Sequence, residues 1–386
     1  LGGRTGSGQG TIQVIEPKLR RTGKTTDAGA LTAPEDVLDA LIGEDEEGTP
    51  IPLELGGWSL GEPARIRITW WSPTGIFVAE DEKLTKQRKA QKEAENRKKG
   101  IDEEVHEVVY PLRDPSVAWD EAQLLIPGTS IRGALRSRAS RIARTVLAAR
   151  DELSTFTSHD LHEQIAAEPN LVRYMFGSTE YRGAVTVHDC LSSDPGKCIE
   201  VTHNAIDRWT GGVIDGGLFT EAVYLGTHWE PITIDIDLRQ LLNNIEAEKG
   251  PEDREQSKPT HADYAHAAYV LLGLVLAELS AGTLPLGSRS TRGLGQVVVS
   301  SIDVRGCTRD DVVIPAKTLS GGEALEHPGT AATSPSQRRY DAQRTLAEGV
   351  LEYLLDIKGA TQWSDRLHEG LQKTDTESKG KEKAHE

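Results

Sequence analysis

The chain has 386 residues, room for one large domain with extensions or for two modest ones. Its 60 acidic against 44 basic residues give a formal charge of −16, which excludes a polyanion binder held by overall charge and leaves only a local basic surface for that role. Cys190, Cys198 and Cys307 lack Cys-x-x-Cys spacing and read as plain thiols, while no apolar run approaches the roughly 20 residues of a membrane helix and no signal segment opens the chain, so the reading is cytoplasmic, without a membrane.

Met175 is the only methionine and residue 1 is Leu, which reads as a chain preceded by another segment. Residues 1–16 place five glycines in ten positions and then alternate through Ile12 and Val14, a flexible loop feeding a strand. Residues 286–302 repeat this pattern: Leu-Gly, small and basic residues, Gly-x-Gly, then an alternating strand. The first copy therefore reads as the end of a preceding homologous domain. Residues 17–57, rich in Thr, Gly, Pro and acid with one short helical candidate after Pro34, read as a linker.

The body of the domain is expected over 58–305. A strand is predicted at 64–71, and a helix at 129–150 with Ile131, Leu135, Ala139, Ile142 and Val146 inward. Strands follow at 184–189 and 231–238, then an apolar helix at 261–281 carrying Ala265, Ala268, Leu272, Val275 and Leu279. Strand, helix, strand, strand, helix, Gly loop, strand is the order of an α+β, ferredoxin-like (RRM-like, split βαβ) fold with large insertions. Residues 306–386 form a C-terminal extension with one helix carrying Leu346, Val350 and Leu354 and a charged tail with the composition of disorder.

Residues 125–144 are the most informative. Pro127 and Gly128 stop a strand, Thr129 or Ser130 is expected to cap, and Arg132, Arg136, Arg138, Arg141 and Arg144 stud the helix that follows. A helix start with arginine one turn in suits a phosphate by donors, dipole and charge; a solvated basic face is the plainer alternative. The loop Gly287, Ser288, Arg289, Ser290, Thr291, Arg292, Gly293 offers the materials of an anion nest or simply a tight turn. Both glycine loops lead into strands, which excludes a dinucleotide fingerprint. Gly23-Lys24-Thr25 has Lys18 where a phosphate-binding loop needs its first glycine.

These elements, in this order, resemble the RAMP superfamily, specifically backbone subunits or domains of type III CRISPR effector complexes, possibly as part of a multi-RAMP fusion. IPGTSIRGALR (126–136), YMFGS (174–178), GAVTVHDC (183–190), HNAIDRWTGGVIDGGLFTEAVYLG (203–226) and GSRSTRGLGQV (287–297) carry the resemblance. It implies a RAMP palm that holds guide RNA (crRNA) along its phosphates through Thr129, Ser130, Arg132, Arg136, Arg138, Gly287, Arg289, Ser290, Arg292 and Gly293. It also implies a thumb hairpin, near Arg208, with Ile206, Trp209 or Phe219 as wedge or stacking groups unless they pack the hairpin root. Complementary target RNA and other RAMP subunits are the implied partners.

Many such subunits are similar in cutting target RNA through an Asp that works with Mg²⁺. Here the expected position before Arg113-Asp114-Pro115 is Val109, so the strict register lacks that Asp. Asp102, within Ile101-Asp102, is the first catalytic and metal candidate, Asp81 the second and Glu107 the third; each also reads as an ordinary exposed carboxylate. The insertion 83–99 carries eight basic residues against two acidic and is either an RNA contact or a solvated helix. His106, His188 and His203 show no metal-ligand spacing and read as structural or surface groups. Asp189, Asp207 and Arg208 suit a thumb-anchoring salt bridge as well as RNA contact. Two alternatives stay beside the guide-holding reading: an endonuclease that processes precursor guide RNA, and a non-catalytic structural subunit.

Overall fold

A computed structural model describes residues 19–21, 49–51, 63–102, 105–119, 121–150, 168–248, 261–309, 311–321 and 335–367. In chain order the elements are β1 (Leu19–Arg21), β2 (Thr49–Ile51), β3 (Ala64–Ser72), α1 (Glu82–Lys99), β4 (Val108–Val109), β5 (Leu125–Ile126), α2 (Gly128–Ala149) and α3 (Asn170–Phe176). Then come β6 (Val185–Val187), β7 (Cys190–Asp194), β8 (Lys197–Ile206), β9 (Val213–Leu225), β10 (Thr227–Trp229), β11 (Ile232–Ile236), α4 (Leu238–Glu248) and α5 (His261–Ser280). β12 (Val298–Arg305), β13 (Cys307–Arg309), β14 (Val312–Ile314), β15 (Lys317–Ser320) and α6 (Pro335–Leu355) complete the set.

β1 and β2 pair antiparallel within one compact unit, and the described elements from Pro63 onward form a second. The stretch expected as a linker therefore carries paired strands. The helix after Pro34 and the strand at 12–14 lie outside the described residues.

In the second unit the alternation of β3 sets the sheet. Ala64, Ile66, Ile68, Trp70 and Ser72 are buried, whereas Arg67 and Thr69 between them are exposed, so one face meets the core and the other does not. β12 and β11 flank β3, and β6 lies beyond β11, all neighbours antiparallel, giving the order β12-β3-β11-β6. β3 and β6 thus run parallel with α2 and α3 between them in sequence and β11 between them in space. This is the split βαβ, ferredoxin-like arrangement expected. β7, β10 and β5 prolong the sheet at one side and β15 at the other.

α2 buries Ile131, Leu135, Ala139, Ala143 and Leu147, each at most 1% exposed. The expected Ile142 and Val146 are only half-buried. The inward stripe follows one uninterrupted row of residues four apart, an inclined ridge, rather than the mixed three-and-four spacing that the sequence suggests. α5 is buried on nearly all sides, including Ala265, Ala268, Leu272, Val275 and Leu279. By length and composition its 20 residues pass for a membrane span, contrary to the sequence reading, yet 83% of its most apolar window is buried inside the fold. It is the core helix of this unit.

α6 packs on α5 and on β12 and β15, burying Leu346, Val350 and Leu354. The C-terminal extension is part of the same unit. It also supplies β13 to β15 and a 3-10 helix at Ala360–Leu367, which the sequence reading did not anticipate.

Candidate nucleic-acid interface

The start of α2 corrects the expected cap. The N-cap residue is Pro127, which has no side-chain hydrogen bond to offer, and neither Thr129 nor Ser130 takes its place. The Gly128 N–H instead donates to Asp189 Oδ1 at 2.7 Å, so the carboxylate that the helix dipole favours comes from the β6–β7 junction. Glycine is required at 128, because a Cβ there would stand 2.1 Å from the Val187 carbonyl oxygen.

The arginines of α2 are largely engaged inside the fold. Arg132 Nε donates to the Val185 carbonyl at 3.1 Å and its Nη2 to that of Phe176. Burial, helped by the Arg136 charge, pushes the Arg132 pKa below its ordinary value. Arg136 forms a fork with Glu168 and also reaches Gly177 O at 3.1 Å. Arg138 pairs with Glu278 at 2.8 Å and Thr283 O at 2.7 Å. These three brace α2 against α3 and α5, leaving Arg141 as its exposed arginine and Thr129 exposed in its first turn.

β8 and β9 form one long antiparallel hairpin, from Lys197 opposite Leu225 to Ile206 opposite Val213. Asp207 closes its tip: its N–H donates to Gly212 O, and its Oδ1 accepts the Trp209 N–H at 2.8 Å. Asp207 is therefore a turn-former, as Asp189 is a helix cap. Trp209 projects 97% exposed, beside the exposed Arg208 and the exposed Ile206, Val213, Ile214 and Leu218. Five large apolar groups are thus exposed on one arm. Phe219 sits at the root instead, half-buried and stacked on His203 with centroids 5.2 Å apart.

The glycine loop lies against the segment after β3. Ser288 donates through N–H and Oγ to Phe77 O, at 2.7 and 2.9 Å. Gly287 has φ +76°, and a Cβ there would meet Phe77 O at 2.8 Å, so only glycine fits. Ser290–Arg292 form a 3-10 turn closed by Gly293. Arg289 Nε and Arg292 Nη1 both reach Glu221, at 2.7 and 3.1 Å, from the hairpin root. Sequence reasoning missed Glu221, whose one signal is a carboxylate directly before the apolar run Ala222–Tyr224.

On the outer face of the sheet, Asp235 accepts Arg65 at 2.6 and 2.8 Å and shares 2.8 Å with His188 Nε2. Burial would raise the Asp235 carboxyl, but Arg65 and His188 outweigh it and hold its pKa below the ordinary value.

The three carboxylate candidates do not converge. Asp81 is the N-cap of α1, its Oδ1 accepting the Lys83 N–H at 2.8 Å. Asp102 is exposed just beyond the left-handed Gly100 that ends α1. Glu107 is exposed before β4, where it adds, after the larger effect of Glu82, to the charge holding the Lys86 ammonium above its usual range. Among the described residues no three His, Cys, Asp or Glu side chains gather as a metal cage, so these residues do not by themselves assemble a Mg²⁺ site.

The insertion between β3 and α2 is tied down by cation–aromatic contacts. Arg88 of α1 pairs with the buried Glu80 and lies over Trp119 at 3.6 Å, a ring that Arg113 also covers at 4.5 Å. Arg113 donates to Tyr224 Oη at 2.5 Å, and β4 pairs in parallel with β9, so the insertion is fastened to the hairpin root.

A split βαβ palm, a long apolar-tipped arm and a glycine loop clamped to the root of that arm define an α+β palm-and-thumb protein. Residues 124–298 match the family model of the RAMP superfamily. Among solved structures, the chain is similar to one in a type III-B Cmr-beta complex bound to cognate target RNA, at 12% identity and TM-score 0.34, covering 63% of this chain. It spans 61% of the length of that relative. It is also similar to a chain of a type IV-B CRISPR complex, at 13% identity and TM-score 0.33, covering 70% of this chain and 95% of that one. No curated protein sequence matches.

Proposed function

We propose that this chain is a guide-RNA-binding backbone subunit of a type III CRISPR effector complex, working in the cytoplasm beside other RAMP subunits. The observation that carries the reading is the placement of Arg289 and Arg292, half-buried to exposed on the glycine loop, at the root of an arm tipped by the fully projecting Trp209. On a chain of charge −16, cations concentrated at one loop attract a polyanion locally rather than through the whole surface. Phosphate contacts fix position without reading sequence, an exposed aromatic stacks on any base, and guide–target pairing supplies the specificity. Thr129 and Ser130, Arg132, Arg136 and Arg138 contribute mainly by setting the palm on which the RNA lies. The family-model match over 124–298 supports the same reading.

The test is recovery of RNA with the purified chain and its complex, followed by sequencing. Guide fragments that span several copies of the chain fit a backbone subunit; one hairpin per chain fits a processing endonuclease and contradicts the proposal. Target cleavage, where present, falls to Asp102 with Mg²⁺ completed by RNA oxygens, since among the described residues no three ligand side chains gather as a cage. Asp102→Ala is expected to abolish Mg²⁺-dependent cutting and leave RNA affinity unchanged; unaltered cutting rejects that assignment.

A further inference from the structure

We infer that Glu221 is a positioning residue, a buried carboxylate on the thumb strand that aims both arginines of the glycine loop at an RNA phosphate. The inference rests on the RNA-holding reading above. The Glu221 side chain is 1% exposed, with Arg289 Nε at 2.7 Å from Oε1 and Arg292 Nη1 at 3.1 Å from Oε2. His203 Nε2 lies 3.4 Å from Oε2. A carboxylate removed from water must keep cationic partners, so β9 is fastened to the loop at this point.

Each guanidinium is also held by a ring. Arg289 lies over Phe77 at 5.4 Å and Arg292 over Phe219 at 5.1 Å, the latter ring stacked in turn on His203. One N–H of each arginine points at the carboxylate and one flat face lies on an aromatic, which leaves the other donors directed outward. The side chains are 34% and 42% exposed, and two cations against one anion keep the cluster positive. Arg289 has φ +66°, a conformation that favours glycine, and Asp311 is the only other non-glycine residue there among those described. An arginine is thus kept where glycine is the easier choice, and its side chain returns to Glu221 and Phe77.

The sign of one substitution separates aim from charge. Glu221→Gln removes a negative charge beside the arginines, so a loop acting by charge alone binds RNA more tightly after it. A loop that needs Glu221 for aim binds less tightly.

The experiment uses the full chain and fluorescent polyuridylate, with affinity measured across a salt series. Replacing Arg289 and Arg292 with Ala should weaken binding and flatten the salt slope by about 1.4, two single-strand phosphate contacts at about 0.7 each. Glu221→Gln should weaken binding about fivefold and flatten the slope by about 0.7, although the chain has become more positive. Affinity equal to or above wild type, with an unchanged slope, overturns the inference while the effect of the double variant keeps the RNA reading intact. A silent double variant, or a wild-type chain that binds no RNA, removes both.

If Glu221→Gln melts early, Phe219→Leu tests the same geometry with the buried charge still paired. A flattened slope supports the aiming role. A lower affinity at an unchanged slope reports only lost stacking and overturns it, as does unchanged binding.

Discussion

Cys190 and Cys198 carry one chemistry into opposite surroundings. Cys190 is buried and its thiol donates to the Glu230 carbonyl at 3.0 Å; burial pushes its pKa up to about 12. Cys198 is exposed at the foot of the thumb. Titration of the native protein with a thiol reagent near neutral pH should label Cys198 rapidly and leave Cys190 unmodified until denaturant is added. Early labelling of Cys190 contradicts its placement on β7. The second residue-scale prediction concerns His266, in α5, whose Nε2 accepts the Val313 N–H at 3.1 Å. Burial first, and the nearby Lys358 charge second, lower its pKa beneath the ordinary 6.5. As pH falls the unfolded chain takes up this proton before the folded one. The stabilising contribution is therefore complete above 6.5 and is lost as pH drops through the depressed native value. Melting temperature should fall on acidification through this window more steeply in wild type than in His266→Gln, and parallel curves would contradict it. The partners of charged residues were the least legible feature of the sequence. Arg136 meets Glu168 from 32 positions away and Arg289 meets Glu221 from 68, and nothing in spacing or composition announces either pair.

At the scale of elements, the loop was legible in its glycines, whereas the arm was legible only through the family resemblance. Asp207, Trp209, Gly211 and Gly212 close its turn, Gly211 at φ +69°, but only β8 alternates; β9 is exposed over Val213–Gly216 and buried over Glu221–Tyr224. The insertion was legible only in part. Residues 82–99 are helical as their charge pattern allows, capped by Asp81 and Gly100, but the parallel pairing of two-residue β4 with β9 has no sequence signature. That pairing places Val108 and Val109 at the root of the thumb. The exposed tip leads to a direct expectation. Trp209→Ala should leave the melting temperature within a degree or two, since the ring is 97% exposed and buries nothing. It should weaken single-stranded RNA binding by about 1–3 kcal/mol, the worth of one base on an aromatic, with the salt slope unchanged. Equal affinity in a fluorescence titration would place the RNA elsewhere.

At the scale of the molecule, the strand order β12-β3-β11-β6 was readable because each strand carries alternation or an apolar run and the two helices intervene where a split βαβ unit needs them. The integration of residues 306–367 was not readable. The inward stripe of α6 shows that the helix is buried on one side, but not that α5 and the β12–β15 edge are what it covers. The arginines of α2 show the same limit from the other side. A row of cations looks the same in sequence whether it faces RNA or braces neighbouring helices, and here Arg132, Arg136 and Arg138 brace. The RNA-holding reading therefore stands on the thumb and the glycine loop, and photo-crosslinking of 4-thiouridine RNA to the intact chain, followed by peptide mapping, addresses it most directly. Cross-links are predicted on peptides containing residues 203–219 and 285–295. Cross-links confined to the basic helix 82–99 or to the C-terminal region, with those two peptides unmodified, would contradict it.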